Sequence, residues 1–155
     1  MPRLHLMHGF IGAGKTTYAR QLELKLPALR LTQDEWMIAR HGTNPPADQF
    51  EKYERRLKGL LWRWAKAELA HGRDVILDYG FWSRPSRDAI RGMAGEIGVE
   101  PVFYAPRVTR DEMLARTLAR TAAMPAGALF IDEAAFNLFW QRYQPLEADE
   151  TAIYF

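Results

Sequence analysis

The chain has 155 residues, enough for one domain with a substantial core but too few for two, so we expect a single domain over residues 1–155. Its composition is that of a globular protein, and a net charge of only +2 indicates no extensive surface for binding polyanions. Cysteine is absent, which excludes disulfides and thiolate chemistry. The sequence has neither a signal-peptide pattern nor an apolar run of about 20 residues, so we expect a cytoplasmic protein without a membrane partner.

A glycine-rich motif follows the first apolar run of the chain. Residues 9–17 read Gly-Phe-Ile-Gly-Ala-Gly-Lys-Thr-Thr and match G-x-x-x-x-G-K-[ST] at every fixed position. Glycines let successive backbone N–H groups form a concave anion site, Lys15 adds charge for the β- and γ-phosphates, and the Thr16 hydroxyl suits Mg²⁺. The apolar run 4–8 and the periodic run 17–24 predict the strand and helix that this motif needs on either side. The residues predicted to surround the nucleotide phosphates are Gly9, Gly12, Ala13, Gly14, Lys15, Thr16 and Thr17.

An acidic pair follows the second predicted strand, residues 28–32. Ligands of open parallel sheets gather at the carboxyl ends of the strands, so a carboxylate of Asp34 or Glu35 can face the γ-phosphate there. We favour Asp34 as the catalytic residue, and the alternative is that one of the two carboxylates caps the next helix. Apolar residues at spacings of three and four then predict a long helix over residues 48–71.

The clearest strand pattern covers residues 73–78 and ends on an acid. Asp78 is therefore predicted to bind Mg²⁺ or its water shell beside Thr16, with capping of the next turn as the alternative. In the loop that follows, Arg84 is a candidate for holding substrate anions. Phe81 and Trp82 fit equally well as pocket-lining or as core residues.

Helix and strand patterns continue to alternate in the C-terminal half of the sequence. A helix over residues 87–97 and a strand over residues 99–104 precede a helix that begins with the capping-box spacing of residues 109–112. Arg116 and Arg120 lie one turn apart on that helix, where like charges repel unless a polyphosphate lies between them; the alternative is a solvated basic face. Glycine and proline in the residues that follow predict a mobile lid around residues 116–130.

The end of the chain predicts one more helix and one more strand. The helix starts at Asp132, runs through Tyr143 and ends before Pro145, and the strand covers residues 151–155. Strands that alternate with helices in this way favour an α/β protein whose parallel sheet has helices on both faces.

These motifs together resemble the small, ATP-binding P-loop kinases of the zeta-toxin, chloramphenicol phosphotransferase and polynucleotide kinase group. The resemblance extends over nearly the whole chain and rests on residues 8–17, 34–36 and 77–81 and on the pair Arg116 and Arg120. It implies a three-layer P-loop NTPase fold with a five-stranded parallel sheet in the order 2-3-1-4-5.

The resemblance also implies roles for individual residues. Asp34 accepts the proton of the acceptor hydroxyl, Arg116 and Arg120 are lid arginines, and the adenine pocket lies near Gln144 and Pro145. Because no guanine-specific Asn/Thr-Lys-x-Asp motif is present, adenine is the favoured base.

The reaction expected from these residues is transfer of the γ-phosphoryl group of Mg·ATP to a hydroxyl of a small-molecule or nucleotide-like acceptor. Lys15, Arg116 and Arg120 stabilise the transferred charge, and Asp34 is the base. Two alternatives stay open: a nucleotide-binding NTPase or switch without a hydroxyl acceptor, and a 5′-hydroxyl nucleic-acid kinase, which the small net charge disfavours. The aromatic residues near Phe81 favour a ring-bearing small molecule over a bare sugar.

Overall fold

The structure is a computed structural model that describes residues 1–123 and 129–155. In this part of the chain the strands are β1 (Arg3–His8), β2 (Leu29–Thr32), β3 (Val75–Gly80), β4 (Glu100–Ala105) and β5 (Ile153–Tyr154). The helices are α1 (Lys15–Lys25), α2 (Gln33–His41), α3 (Phe50–Ala70), α4 (Arg84–Glu96), α5 (Arg110–Ala123) and α6 (Glu133–Trp140). The strands form one sheet in the order β2-β3-β1-β4-β5, and each neighbouring pair is parallel. The predicted fold class and strand order are therefore confirmed.

The sheet is covered by helices on both faces because its central strands carry apolar side chains toward each face. In β1, Leu4 and Leu6 pack against helices α3 and α4, whereas Met7 packs against α1 on the other face. The buried stripe of α3 repeats at intervals of four residues, as a helix lying on a sheet requires. It consists of Leu57, Leu61, Ala65 and Leu69. This packing gives the three layers that the sequence predicts.

Several element ends differ from the sequence prediction, for local reasons. Helix α4 begins at Arg84, three residues before its predicted start, because the Ser83 side chain caps it by accepting a hydrogen bond from the backbone of Ser86. Strand β3 continues two residues beyond Asp78, so this acid is not the last residue of its strand. Helix α6 ends at Trp140, before Tyr143, and the final strand is only two residues long.

The capping box at the start of α5 is confirmed. The Thr109 hydroxyl accepts a hydrogen bond from the backbone of Glu112, and the Glu112 carboxylate accepts one from the backbone of Thr109. This helix supplies residues 116–123 of the predicted lid, and residues 124–128 of that lid lie outside the described residues. Among the helices of the described residues, none combines the length and the apolar character that a membrane crossing requires.

Candidate active site

The carboxyl ends of the central strands open into a cleft of about 850 Å³. One part, which we call the loop end, is lined by residues 11–17 together with Asp34, Asp78 and Arg120. The other part, which we call the aromatic end, lies between α3 and α4. It is lined by Phe50, Glu54, Lys58, Trp62, Tyr79, Phe81, Ile90 and Met93. A cleft at the carboxyl ends of parallel strands is where ligands of such sheets bind.

The glycine-rich loop has the backbone shape that its sequence predicts. Gly12 has a φ of +77°, and a Cβ there would contact the Met113 carbonyl oxygen and lie 2.6 Å from the Thr117 hydroxyl. Only glycine fits this position, because any side chain would meet the backbone of α5. The loop is thus held between β1 and α5, and α1 begins at Lys15 directly behind it. Its backbone N–H groups and the N-terminus of α1 together form a site suited to phosphate.

An aromatic cluster packs against the glycine-rich loop and holds it in place. The fully buried ring of Phe10 lies 4.9 Å from Trp82 and 4.9 Å from Phe136, measured between ring centroids. Trp82 also donates a hydrogen bond from its indole nitrogen to the Gly9 carbonyl at 3.2 Å. These contacts connect the loop to the segment after β3, so the position of Trp82 depends on the same cluster that holds the loop.

Lys15 points from the first residue of α1 back to the loop. Its Nζ donates a hydrogen bond to the Phe10 carbonyl at 2.9 Å. Burial lowers the pKa of the Lys15 ammonium, and the nearby carboxylates of Asp78 and Asp34 oppose that effect. The nearby carboxylates thus favour the charged form of Lys15, and a phosphate group in the cleft would favour it further.

Two hydroxyls converge on one oxygen of Asp78. Thr16 donates to Oδ2 at 2.6 Å, and Thr32, at the end of β2, donates to the same oxygen at 3.0 Å. Among the described residues the other oxygen, Oδ1, is buried without a hydrogen-bond partner. An unpaired carboxylate oxygen beside a threonine hydroxyl suits a hydrated Mg²⁺, which takes few protein ligands and oxygen donors. No cluster of three or more His, Cys, Asp or Glu side chains that could hold a metal ion occurs in residues 1–123 and 129–155.

Asp34 is the second residue of α2 and lines the loop end of the cleft. Its side chain is exposed to the cleft, and desolvation by the protein around the cleft raises the pKa of the carboxyl. The charge of Lys15 opposes the increase, and the charge of Asp78 adds to it. Among the described residues Asp34 makes no side-chain hydrogen bond. By contrast, the neighbouring Glu35 is engaged by Arg30 at 3.1 Å.

The two predicted lid arginines differ in position. Arg120 lines the cleft and is close enough to Lys15 and Asp34 to affect the pKa of both. Arg116 lies outside the lining residues, with Nη1 3.8 Å from where a Cβ on Gly14 would be. Arg116 is therefore beside the loop, and Arg120 faces the cleft.

Arg84 and Pro145, which the sequence suggests as binding residues, do not line this cleft. Arg84 forms ion pairs with Asp88 at 3.0 Å and Asp149 at 2.8 Å, so its guanidinium is not available for a substrate anion. Pro145 is exposed and lies outside the lining residues, and its carbonyl accepts a hydrogen bond from Arg87. Gln144 also faces this segment, since its side chain accepts a hydrogen bond from the Arg84 backbone.

Arg87 is the hub of a buried polar network, a role that the sequence-based predictions did not include. Its fully buried guanidinium pairs with Glu150 at 2.8 Å and donates to the Phe81 carbonyl at 2.9 Å. Phe81 has a φ of +49°, a strained conformation for a residue with a side chain, so these contacts hold an unfavourable backbone in place. A signal existed in the sequence: Arg87 interrupts the apolar stripe of α4 that continues with Ile90 and Ala94.

His8 completes this network from the end of β1. Its Nδ1 donates to the Phe81 carbonyl at 3.1 Å, and its Nε2 accepts from the Tyr143 hydroxyl at 3.1 Å. Burial lowers the pKa of His8 to about 4, so the ring is neutral at pH 7. The conformation of Phe81, and with it one wall of the cleft, is therefore set by residues from three separate parts of the chain.

The sheet order, the loop geometry and the paired Thr16 and Asp78 define a P-loop nucleotide-binding protein of the kinase-like type. The sequence matches the AAA domain family AAA_33 over residues 4–146, and the chain belongs to that family. No curated protein matches the sequence significantly.

Solved structures share this fold at low sequence identity. A putative kinase from Chloroflexus aurantiacus J-10-fl has a TM-score of 0.75 and 19% identity, covering 99% of this chain and 86% of that chain. A gluconokinase from Sinorhizobium meliloti 1021 has a TM-score of 0.62 and 16% identity, covering 99% and 81%. Kti12 from Chaetomium thermophilum, in complex with ADP-AlF3, has a TM-score of 0.74 and 18% identity, covering 98% and 88%. These similarities show a shared fold.

Proposed function

We propose that this protein is a kinase that transfers the γ-phosphoryl group of Mg·ATP to a hydroxyl of a small-molecule or nucleotide-like acceptor. The observation that carries the proposal is the carboxylate of Asp34, which lines the same cleft as Lys15 and has no side-chain hydrogen bond among the described residues. A protein that only binds nucleotide has no need of a free carboxylate there. A kinase needs one to accept the proton of the acceptor hydroxyl.

Binding of the triphosphate is assigned to the loop end. The backbone N–H groups of residues 12–17 surround the β- and γ-phosphates, and the Lys15 ammonium exchanges its hydrogen bond to Phe10 for one to a phosphate oxygen. Arg120 approaches from α5 and stabilises the charge that spreads over the transferred group, with Arg116 beside the loop at Gly14. Because these groups are positioned before the reaction, they need little rearrangement during it.

Thr16 and Asp78 are proposed to hold Mg²⁺, directly or through its water shell. The unpaired Oδ1 of Asp78 and the adjacent Thr16 hydroxyl are the donors that fit such an ion. A Mg²⁺ ion held by these residues would supply positive charge to offset that of the phosphates. The Thr32 hydroxyl keeps the Asp78 carboxylate oriented by its hydrogen bond to Oδ2.

Asp34 is proposed as the general base. As the acceptor oxygen attacks the γ-phosphorus, its O–H proton passes to the Asp34 carboxylate, the new O–P bond forms, and the bond to the β-phosphate oxygen breaks to release ADP. Desolvation raises the pKa of Asp34, which makes its carboxylate a stronger proton acceptor than an ordinary aspartate.

A second candidate function is a nucleotide-driven switch that hydrolyses ATP without a hydroxyl acceptor. One observation favours it: the fold is also similar to that of Kti12, whose structure contains ADP-AlF3. In that case Asp34 would orient a water molecule instead of an acceptor hydroxyl.

The two candidates are separated by following the label from γ-³²P-ATP in the presence of Mg²⁺. Pools of nucleosides, aryl alcohols, sugars, sugar acids and 5′-hydroxyl oligonucleotides serve as acceptors. Lys15→Ala is the blank, and Lys25→Ala, at the exposed end of α1, is the matched control. Label in an organic product supports the kinase. Label found only as inorganic phosphate contradicts the kinase and favours the switch.

A further inference from the structure

The aromatic end of the cleft is a pocket with its own chemistry. Phe50, Glu54, Lys58 and Trp62 follow one another at intervals of four residues along α3, so all four project from one face of the helix into the cleft. Ile90 and Met93 face them from α4. The space between the two helices continues directly into the loop end, where Asp34 lies.

The walls of this pocket are mostly rings and aliphatic groups. The rings of Tyr79 and Phe81 are stacked with centroids 5.4 Å apart and planes at 28°, and Phe81 meets Phe103 edge-on. Trp62 and Phe50 are half-buried and line the cleft from α3. Flat apolar surfaces on several sides are the surroundings that a planar ring occupies most favourably.

One polar atom lacks a partner at this end. The Tyr79 hydroxyl is buried and, within residues 1–123 and 129–155, makes no hydrogen bond. Burial also raises the pKa of this phenol, so the group remains a neutral donor at all physiological pH values. A buried hydroxyl without a partner is costly, and a polar substituent of a ligand that reaches it by displacing a neighbouring side chain would remove that cost.

Among the described residues, two of the three cations at the aromatic end are paired with acids, and the third is exposed to water. The Lys58 ammonium is 2.7 Å from Glu54, and Arg142 is 3.9 Å from Glu51. Arg55 lines the cleft but is exposed to water. At the loop end, by contrast, Lys15 and Arg120 have no ion pair with any of the described residues. An anionic acceptor would therefore meet cations that are already neutralised or hydrated.

We infer that the acceptor is an uncharged, ring-bearing alcohol. Its ring packs between α3 and α4, a polar substituent pairs with the Tyr79 hydroxyl, and its reacting hydroxyl extends toward Asp34. This inference rests on the proposed function and names the substrate class of the same site. Sugar acids, nucleoside phosphates and nucleic-acid ends are disfavoured because they bring negative charge to an end of the cleft whose cations are already paired or hydrated.

The experiment uses acceptor pairs that differ in one property. 4-(Hydroxymethyl)benzamide and 4-(hydroxymethyl)benzoate share a ring and a hydroxyl but differ in charge, as do uridine and uridine 3′-monophosphate. Ribitol and D-gluconate provide the comparison without a ring. We expect kcat/KM with Mg·ATP to be at least about tenfold higher for the neutral ring compounds than for their charged partners or for ribitol. Equal or higher values for the charged or ring-free compounds would overturn the inference.

Equilibrium binding separates failure of this inference from failure of the proposed reaction. Each compound is titrated calorimetrically into the protein saturated with Mg²⁺ and a non-hydrolysable ATP analogue. Selective binding of the neutral ring compounds without any transfer would support the pocket and contradict the kinase. If none of the compounds binds, or only the anions do, the inference is wrong.

Tyr79→Phe tests the contact that the ring compounds are expected to make. Removing the hydroxyl should raise the acceptor KM about fivefold to tenfold and change kcat less, because the lost hydrogen bond is to a part of the acceptor that does not react. Tyr53→Phe is the matched control, since the Tyr53 ring on α3 stacks on His41 of α2 and does not line the cleft. The melting temperature of Tyr79→Phe should not fall, because its hydroxyl has no partner to lose. An unchanged KM in Tyr79→Phe would remove this residue from the site.

Discussion

The loop end and the aromatic end of the cleft are adjacent, yet they differ in whether their cations form ion pairs. At the loop end Lys15 and Arg120 form no ion pair with the described residues, although Asp34 and Asp78 lie near enough to Lys15 to affect its pKa. At the aromatic end Lys58 is paired with Glu54, and Arg84, on the nearby helix α4, is paired with Asp88 and Asp149. The first end therefore suits the proposed triphosphate, and the second suits the proposed acceptor of little charge.

The two ends are also positioned by different means. The loop end depends on consecutive residues, in which Gly12 adopts a conformation that its neighbours require and Lys15 begins a helix. The aromatic end depends on Phe81, whose carbonyl is held by His8 and Arg87. Changes at the loop end should therefore affect nucleotide binding and chemistry. Changes in the supporting network should affect the shape of the aromatic end and the stability of the fold.

The largest expected effect is at the loop end. Lys15→Ala removes the cation nearest the β- and γ-phosphates, so phosphoryl transfer should fall about 1,000-fold or more and ATP binding should be lost. Transfer is measured with labelled ATP, and binding is measured by calorimetry. Lys25→Ala should retain both. Normal ATP affinity in Lys15→Ala would contradict the assignment of the phosphates to this loop.

A smaller loss is expected for the arginine that faces the cleft. Arg120→Ala should lower kcat about 100- to 1,000-fold with little change in ATP affinity, because its charge acts mainly on the transition state. Arg63→Ala, exposed on α3 away from the cleft, is the control. A variant that loses ATP affinity but keeps kcat would show that Arg120 binds the ground state instead.

The network behind the aromatic end should control stability. Burial alone would raise the pKa of Glu150, but hydrogen bonds from Arg87 and Arg91 lower it to about 2. Because the folded-state pKa lies below the unfolded value of 4.5, this pair stabilises the fold above that pH, and its contribution is lost as the pH falls toward about 2.

Glu150→Gln leaves the Arg87 guanidinium, which is 0% exposed, without its carboxylate, and should lower the free energy of unfolding at pH 7 by about 3–5 kcal/mol. Urea denaturation measures this change. Glu147→Gln, an exposed acid paired with Arg84, should cost less than about 1 kcal/mol. Equal effects of the two substitutions would mean that the buried pair does not support the fold.

The pH dependence of turnover tests the role of Asp34 at the loop end and is the smallest of the expected effects. A general base must be deprotonated, so kcat should fall about tenfold per pH unit below the pKa of Asp34. Since desolvation raises that pKa, the decline should begin at a higher pH than the value of about 3.9 for an ordinary aspartate would give. The profile is measured at saturating ATP and acceptor, over a range in which the fold is intact by circular dichroism. A flat profile down to pH 4 would exclude Asp34 as the base.

Much of the fold and the loop end could be predicted because the signals are local. The motif of residues 9–17 specifies its strand, loop and helix through consecutive residues, and the alternation of patterns specifies a parallel sheet. The position of Asp34 follows from the general rule that ligands of such sheets lie at the carboxyl ends of strands. The roles of Asp34 and Arg120 remain predictions that the proposed variants test, and the role of Asp78 also remains a prediction.

The supporting network could not be predicted, because its partners are far apart in sequence. Arg87 and Glu150 are 63 residues apart, and His8 and Tyr143 are 135 residues apart. The same reason explains why Arg84 was expected to bind substrate anions: its loop position suggested exposure to the cleft, and no local pattern indicated that Asp149 would neutralise it.

The central claim is that Asp34 acts in phosphoryl transfer and not in nucleotide binding. The direct measurement compares Asp34→Asn with the unmodified protein for ATP affinity by calorimetry and for labelled-phosphoryl transfer to the best acceptor, with the exposed Asp48→Asn as control. We expect unchanged ATP affinity, a fall in kcat of about 100- to 10,000-fold in Asp34→Asn, and normal activity in the control. Normal turnover in Asp34→Asn would contradict the account.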